Sequence, residues 1–418
     1  MATEPASIGK EEVSAPESAE AREAPAPALV DEDVEEEAEG DAWGFEESSS
    51  ASEGDRAEFT PMAPLQEPEA PVRPAAVSTL ESTPQPVAKE ECTISRRSLD
   101  LVELAEGTLD SVLSKLQAGR SSGVEADNDD VEALAGTIFK IFEMHRALMP
   151  VAHGEALRDV PSLAMQFFND CEYLARELSR LVADKGDRIA TAWTSYEAEG
   201  AKRWSTKELA KLEQEAASTR GLGQRWFEAQ MTAQSKILLD TLMEADGFAR
   251  TFDDQRFARC ERCIKQVVQT LQQLAKAWRP VLVASRFHAA IGRLVDLVFQ
   301  KVLHDVLDLE DIGESESEKI ASLVKTLGSL EVLFSVNGSE QQSAAPLWVP
   351  SWFKTSYLIE ILTGSLVDIE FLAFEAGALV DYSRKELTGL IKALFADTSN
   401  RSKLLRRIES APVEVLAH

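Results

Sequence analysis

The side chains that could perform chemistry are few in this sequence, and they are scattered along it. Cys260 and Cys263 form a Cys-x-x-Cys pair, but no second cysteine or histidine pair follows at the spacing of a zinc site. The histidines in predicted helices each stand alone, without a recurring carboxylate or cysteine partner: His145, His153, His288 and His304. The pattern predicts no metal site, no bound cofactor and no catalytic residue, so we expect the chain not to be an enzyme.

The glycine pair Gly221 and Gly223 has the spacing of part of a phosphate-binding loop. We predict that it lies between two helices and not after a strand, so it does not support a dinucleotide-binding site. An enzyme of unknown type on a helical scaffold is the alternative class. That alternative requires His, Cys or carboxylate side chains that cluster in a cleft.

A short acidic segment with two aromatic residues is the clearest candidate for binding. We call it the hook, and it consists of Asp41, Trp43, Phe45, Glu46 and Glu47. In an extended chain residues i and i+2 point to the same side, so the two aromatic rings could enter neighbouring pockets while the acids meet a basic rim. The competing interpretation is a chance aromatic pair in low-complexity sequence.

The charge balance of the chain is strongly acidic. Asp and Glu total 72 against 43 Lys and Arg, which gives a formal net charge of -29, and residues 1–91 hold 24 acids against 5 bases. Nucleic-acid binding depends on Lys and Arg that neutralise phosphates, so this balance argues against it. Partners with basic surfaces are favoured instead.

Several features bear on the cellular location. Four scattered cysteines favour a reducing compartment, and the N-terminal residues show no apolar region typical of a secretory signal. No uncharged apolar run approaches the roughly 18 residues of a spanning helix. We expect a cytoplasmic protein whose membrane contact is peripheral.

Residues 1–93 contain 11 of the 17 prolines and few apolar residues, so they are predicted to be a disordered acidic arm. From Leu99 to Leu116 an apolar stripe predicts a helix that ends at Gly119, with a break at Gly107. A helix from Val131 should end at Pro150.

The remaining sequence predicts further helices. Pro161 should open one with these side chains inward: Leu163, Phe167, Cys171, Leu174 and Leu178. Residues 202–244 suit long, partly exposed helices, an apolar face should end at Trp278 before Pro280, and residues 282–307 should form a central helix. Residues 357–369 read as one apolar helix. Ser315 with Glu318, and Ser383 with Glu386, have the form of capping boxes.

No alternating strand pattern is present, so the predicted class is all-α. We divide the chain into the acidic arm at 1–93, a short helix and linker at 94–130, a helical bundle at 131–336 and a C-terminal helical bundle at 337–418.

Several short motifs resemble the zeste-white-ten and Dsl family of tethering subunits. They are Val-Pro-Ser-Trp-Phe at 349–353, Leu-Ile-Lys-Ala-Leu-Phe-Ala-Asp-Thr-Ser-Asn-Arg at 390–401, Trp-Arg-Pro-Val-Leu at 278–282, Leu-Glu-Asp-Ile at 309–312 and Leu-Met-Pro-Val-Ala-His at 148–153. They occur in the family's order and cover roughly residues 137–408.

The resemblance implies stacked helical bundles that form a rod, as in vesicle tethers, and a non-enzymatic subunit of a tethering complex at the endoplasmic reticulum (ER). It implies that the C-terminal bundle docks an ER-anchored helical-solenoid subunit. The acidic arm would capture the δ subunit of the COPI coatomer through Trp43 and Phe45, which serves Golgi-to-ER retrograde transport.

The resemblance leaves two other roles open. Animal members of the family also act as checkpoint scaffolds at kinetochores, which is the alternative function and location. Family members normally carry a coiled-coil half before the acidic region, and we expect that half to be missing through truncation, a split gene or an incomplete gene model. A fragment of that kind would bind partners without bridging them.

Overall fold

Helices make up most of the part of the chain that the structure describes. The computed structural model describes residues 91–122, 128–194, 200–335 and 343–411, and these belong to one compact unit that spans Ser82–His418. Within those ranges no β-strand forms, apart from an isolated bridge between Ser335 and Ser343. The predicted all-α class is confirmed. The predicted acidic arm lies outside the described residues except for its last three, 91–93.

Twelve α-helices are present in the described ranges, together with 3-10 turns at Asp246–Phe248 and Ser329–Phe334. In chain order the helices are α1 (Arg96–Ser122), α2 (Asn128–Asp159), α3 (Pro161–Thr194), α4 (Gly200–Met243), α5 (Asp254–Trp278), α6 (Ala284–Leu307), α7 (Glu314–Gly328), α8 (Ala345–Trp348), α9 (Trp352–Thr363), α10 (Leu366–Phe374), α11 (Arg384–Leu394) and α12 (Ser399–Ser410).

Two predicted interruptions near the start of the fold are wrong. Helix α1 continues through Gly107, and α2 continues through Pro150 to Asp159. Gly107 is exposed, and a glycine there costs only about 1 kcal/mol of helix propensity. Pro150 removes one helical hydrogen bond, but buried residues on both sides of it, Phe142 and Leu157, hold the two halves of α2 against the core.

The predicted start at Pro161 is confirmed, and α3 then pairs with α4 along much of their length. The helices contain 34 and 44 residues, so they are about 50 and 66 Å long. Their length places them in two hydrophobic cores. One core joins α1 and α2 to the later part of α3 and the earlier part of α4. The larger core takes the start of α3, the end of α4 and helices α5–α12.

The prediction that Gly221 and Gly223 lie between two helices is wrong, and the α3–α4 crossing explains why. Both lie inside α4. A Cβ atom on Gly223 would stand 2.6 Å from the Cβ of Cys171 on α3, which is closer than carbon atoms pack. The missing side chain therefore allows the two backbones to approach.

Helix α6 lies inside the larger core, as predicted for residues 282–307. Its apolar residues recur at helical spacing and are buried, among them Ile291, Leu294, Val298 and Val302. A Cβ atom on Gly292 would lie 2.4 Å from the carbonyl oxygen of Trp348. The short helix α8 therefore sits directly on the backbone of α6.

The C-terminal helices begin and end at capping signals, and one predicted helix is divided. Residues 357–369 belong to α9 and α10, because α9 ends before Gly364 and a Ser365–Asp368 capping box starts α10. The predicted Ser383–Glu386 box is confirmed at α11. The predicted Ser315 box is wrong: α7 starts two residues earlier, where Glu316 accepts a hydrogen bond from the Gly313 N–H.

The predicted domain boundaries stay predictions. The larger core contains side chains from both sides of residue 337, for example Ile291 and Leu390.

Replacement of Gly223 by alanine should destabilise the fold by about 1–3 kcal/mol, since the added methyl group overpacks the α3–α4 crossing. The matched control is Gly107→Ala in α1, where no atom lies within 4 Å of the added Cβ. That variant should be neutral or more stable by up to about 1 kcal/mol. Urea unfolding followed by circular dichroism measures both changes. Equal stabilities for the two variants would contradict the close approach.

Candidate interaction surfaces

The predicted hook residues Asp41, Trp43, Phe45, Glu46 and Glu47 lie outside the described residues. Their role as a binding segment stays a prediction. The described residues offer three other features that bear on binding: the segment that precedes α1, a groove beside α6 and a smaller pocket between α1, α2 and α3.

The segment before α1 is fastened to two distant parts of the chain. The Thr93 N–H donates to the carbonyl oxygen of Val281 at 3.0 Å, and the Thr93 hydroxyl donates to that of Pro280 at 2.7 Å. The Asn169 amide on α3 donates to the carbonyl oxygens of Thr93 and Val281, at 3.1 and 2.7 Å. The backbone at residue 93 is therefore held against α3 and the turn between α5 and α6.

The N-terminus of α1 is capped by a residue from another helix. Asp170 on α3 is buried, and its carboxylate accepts a hydrogen bond from the Ser95 N–H at 2.7 Å. Burial raises the pKa of Asp170, while the hydrogen bonds from Ser95 and Ser98 oppose the rise. Since an acid near a helix N-terminus is stabilising, this contact fixes where α1 begins.

Three of the four cysteines are buried within the helical body. Cys171, Cys260 and Cys263 are buried, Cys92 before α1 is exposed, and all four are free thiols. Burial raises the pKa of Cys171 to about 12 and that of Cys260 to about 11, so both remain protonated at neutral pH and are poor nucleophiles. Within the described ranges, no group of three or more His, Cys, Asp or Glu side chains is arranged to hold a metal ion.

A groove of about 760 Å³ lies between the C-terminal half of α6, the start of α9 and one face of α11. We call it the α6–α11 groove. Its lining residues are Gln300, Leu303, His304, Leu307, Asp308, Ser351, Lys354, Lys385, Glu386, Thr388, Gly389 and Lys392.

A hydrogen-bonded network forms the inner wall of this groove. The Lys354 ammonium donates to both carboxylate oxygens of Glu386 at 2.9 Å, and Glu386 also accepts from the N–H and hydroxyl of Ser383. The Tyr382 hydroxyl donates to the carbonyl oxygen of Lys354 at 2.7 Å. Burial alone would raise the pKa of Glu386, but the hydrogen bonds from Lys354 and Ser383 outweigh it and lower that pKa. The network fixes α9 against α11.

The outer rim of the groove carries different charges. His304 and Asp308 pair with each other on α6, with 2.8 Å between Nδ1 and Oδ2. Lys385 and Lys392 on α11 are exposed, and neither makes an ion pair with another described residue. Gly389 lies between them, and no atom stands within 4 Å of the position its Cβ would take. The groove is therefore open at its middle and positive along one edge.

Sequence reasoning did not identify this groove. The Ser383–Glu386 box predicted where α11 begins, and the apolar face of that helix is buried through Leu387, Leu390 and Ile391. The helical spacing of Lys385, Gly389 and Lys392 on the opposite face was the available signal. That spacing does not show which helices lie opposite this face of α11, because α6 and α9 are far away in the sequence.

A smaller pocket of about 360 Å³ lies between α1, α2 and α3. Its apolar side includes Met149, Leu157 and Phe167, and its polar edge includes Arg97 and His153. Leu163, predicted to point inward, lines this pocket and is 40% exposed. The reason is its position in the first turn of α3, where fewer neighbouring helices cover it.

The aromatic residues of the helical body differ in burial. Phe227 and Trp278 are buried, Trp352 is 9% exposed, and Trp348 packs partly buried against the larger core. Phe353 at the start of α9 is 53% exposed. None of the helices in the described ranges is both long and apolar enough to cross a membrane.

Two family models match this helical body. One, described as the ZW10 C-terminal helical domain, matches residues 262–408. The other, described as the C-terminal part of the centromere/kinetochore protein zw10, matches residues 87–240. The chain belongs to the ZW10 family. The family resemblance predicted from the motifs is thus confirmed, and the matches extend it towards the N-terminus, to residue 87.

Named relatives of this ZW10-family chain come from animals and plants. The mouse centromere/kinetochore protein zw10 homolog is 29% identical over 334 residues, which cover 78% of this chain and 40% of the relative. The Arabidopsis thaliana homolog is 27% identical over 330 residues, which cover 77% and 41%. The Drosophila melanogaster protein is 24% identical, with 76% and 39% covered. The chain spans about two fifths of the length of these relatives.

A solved structure shares part of the helical arrangement of the ZW10-family chain. It is the C-terminal domain of the exocyst subunit Sec6p, at a TM-score of 0.40 and 11% sequence identity. The alignment covers 78% of this chain and 81% of that one. A similarity of this size carries no inference about function.

The half-buried His145 on α2 should make the stability of this ZW10-family chain depend on pH. Burial, together with the nearby Arg97, lowers its pKa from 6.5 to about 4. Between those values unfolded chains bind a proton at His145 that folded chains do not bind, so stability falls as the pH falls. His145→Gln should therefore lose less stability than the unaltered chain between about pH 7 and pH 5, measured by urea unfolding.

The pH range between about 7 and 8 is an internal control. The His145 imidazole is neutral there in the folded and the unfolded state, so the stabilities of the unaltered chain and of His145→Gln should change in parallel. An identical loss of stability below pH 7 in the two proteins would show that His145 is not the group responsible.

Proposed function

We propose that this chain is a non-enzymatic subunit of an ER-associated tethering complex that captures COPI vesicles in Golgi-to-ER retrograde transport. The observation that carries the proposal is an acidic aromatic hook in a chain whose body belongs to the ZW10 family. The motifs of that body resemble the tethering branch of the family. The acidic segment supplies a means of binding cargo, and the helical body supplies a rigid support.

The hook supports capture of the δ subunit of coatomer. Trp43 and Phe45 are two residues apart and are flanked by acids on both sides. Large aromatic side chains supply most of the binding energy of short recognition segments. The surrounding carboxylates favour a basic surface and speed the encounter with it.

The C-terminal bundle supports docking of a second subunit, an ER-anchored helical solenoid. Apolar side chains on α9 and α10 are exposed to solvent: Phe353 at 53%, Val367 at 73% and Phe371 at 52%. Exposed apolar groups of this size are typical of surfaces that bind other proteins. Contact through partners also explains how the chain reaches the ER membrane.

The chemistry of the body is consistent with a binding role. Its buried thiols are protonated, and the Lys354–Glu386 pair is satisfied by its own hydrogen bonds. Side chains whose charges and hydrogen bonds are already satisfied by each other are poorly placed to bind a substrate. Rigid helices that hold binding surfaces apart suit a tether.

A kinetochore or mitotic-checkpoint scaffold is the second candidate function. It is favoured by the names of the relatives, which are centromere/kinetochore proteins. Affinity capture of the tagged chain separates these roles: coatomer with tether subunits supports the first, and spindle proteins without coatomer support the second.

The coatomer proposal predicts that Trp43→Ala with Phe45→Ala weakens binding of the purified δ subunit at least tenfold. Each ring is an anchor, and truncation of an anchor of this kind typically costs about 2 kcal/mol or more. The control is Phe59→Ala, which removes an aromatic ring from the same acidic region but outside the hook. Fluorescence anisotropy or a pull-down measures the affinities. Unchanged binding by the double variant would refute the role of the hook.

A further inference from the structure

We infer that the α6–α11 groove is the docking site for an acidic helix of a protein partner. The inference deepens the proposed function and rests on it, because the partner in question is the helical-solenoid subunit. It assigns a specific surface and a specific residue pattern to that contact.

Two lysines of the groove form no ion pair with another described residue. Lys354 forms an ion pair with Glu386, and the Asp308 carboxylate of the rim lies 2.8 Å from the ring nitrogen Nδ1 of His304. The two remaining charged residues of the groove are Lys385 and Lys392, and both are exposed cations. The chain as a whole has a net charge of -29. A positive edge on so acidic a protein selects carboxylates and repels basic segments.

The spacing of the lysines fixes the form of the partner. Lys385 and Lys392 are seven residues apart on α11, which places them two turns or about 10.5 Å from each other on one face. A helix that lies along α11 can present two acidic residues at the same interval, i and i+7. An extended strand would need acids three residues apart, which project from opposite faces. The helix is therefore the better match.

The middle of the groove indicates which kind of side chain the partner helix carries between its two acidic residues. Its floor contains Leu303, which is buried, and Leu307, which is partly buried. Gly389 has no side chain to fill the space above them, and its Cβ position is open. An apolar side chain at i+3 or i+4 of the partner helix would enter here between the two acid–lysine contacts. The predicted partner helix thus has an acidic residue at position i, an apolar residue at i+3 or i+4, and an acidic residue at i+7.

The groove is preformed for such a contact. The inner wall is held by the Lys354–Glu386–Ser383 network, and Asp296 on α6 accepts a hydrogen bond from the Ser351 N–H at 2.8 Å. Walls that are already fixed lose little entropy when a partner binds.

Two variants of the full-length chain test the site. Lys385→Glu with Lys392→Glu reverses the positive edge. Gly389→Leu fills the opening, and it should keep α11 folded because leucine forms helices better than glycine. The controls are Lys403→Glu with Arg406→Glu, which makes the same charge change on exposed positions of α12, and Gly107→Leu, which fills open space on α1. Thermal unfolding verifies that all four variants fold.

The probe is the purified helical-solenoid subunit, with affinity measured by calorimetry at low and moderate salt. We expect both groove variants to weaken binding at least tenfold, the two controls to change it less than twofold, and the lysine variant to lose most of the salt dependence. Equal affinities for groove variants and controls overturn the groove as the docking site while the proposed function stands.

Other outcomes are also decisive. If the unaltered chain does not bind the solenoid subunit, the proposed contact and the groove assignment both fail. If Gly389→Leu abolishes self-association in sedimentation and leaves partner binding unchanged, the groove holds a second copy of the chain, and the assignment to a partner helix is wrong.

Discussion

The close approach of α3 and α4 is the constraint on which the rest of the body depends. These two helices contribute apolar side chains to both hydrophobic cores. A change in the distance between the helices would therefore alter the packing of both cores. Gly223 permits the approach because its hydrogen faces Cys171 where a methyl group would collide. Since a packed interior deforms little, the pair transmits the position of one core to the other. Rigid connection of successive bundles follows from helices that are shared between them.

The sequence predicted the class of the fold and many of its helices, because amphipathic spacing and capping residues are local signals. The inward face of α5 and the Ser383–Glu386 box are examples. It failed where tertiary packing overrides a local preference. Pro150 and Gly107 are helix breakers by propensity, yet both lie inside helices whose neighbouring residues are buried. At Gly364 the opposite error occurred, since a Gly-Ser-x-x-Asp stop and restart was present in an apolar run.

The candidate sites differ in how far a sequence can predict them. The hook is a linear signal, because its aromatic and acidic residues are consecutive. The α6–α11 groove is assembled from three helices that begin at residues 284, 352 and 384, so no local window contains it. Its most useful feature is an absence, the missing side chain of Gly389. A glycine in a sequence does not indicate a groove until the helices that surround it are known.

Charge connects these separate features. Most of the excess acid of the chain lies in residues 1–91, and the two exposed charged residues of α11 that line the groove, Lys385 and Lys392, are positive. Long-range attraction determines which partners approach and how fast, while apolar contacts determine how long they stay. The proposed contacts of the hook and the groove therefore require partners of opposite sign, a basic surface for one and an acidic helix for the other. A subunit that binds two kinds of partner at once needs such a difference, because it prevents each partner from occupying the other's site.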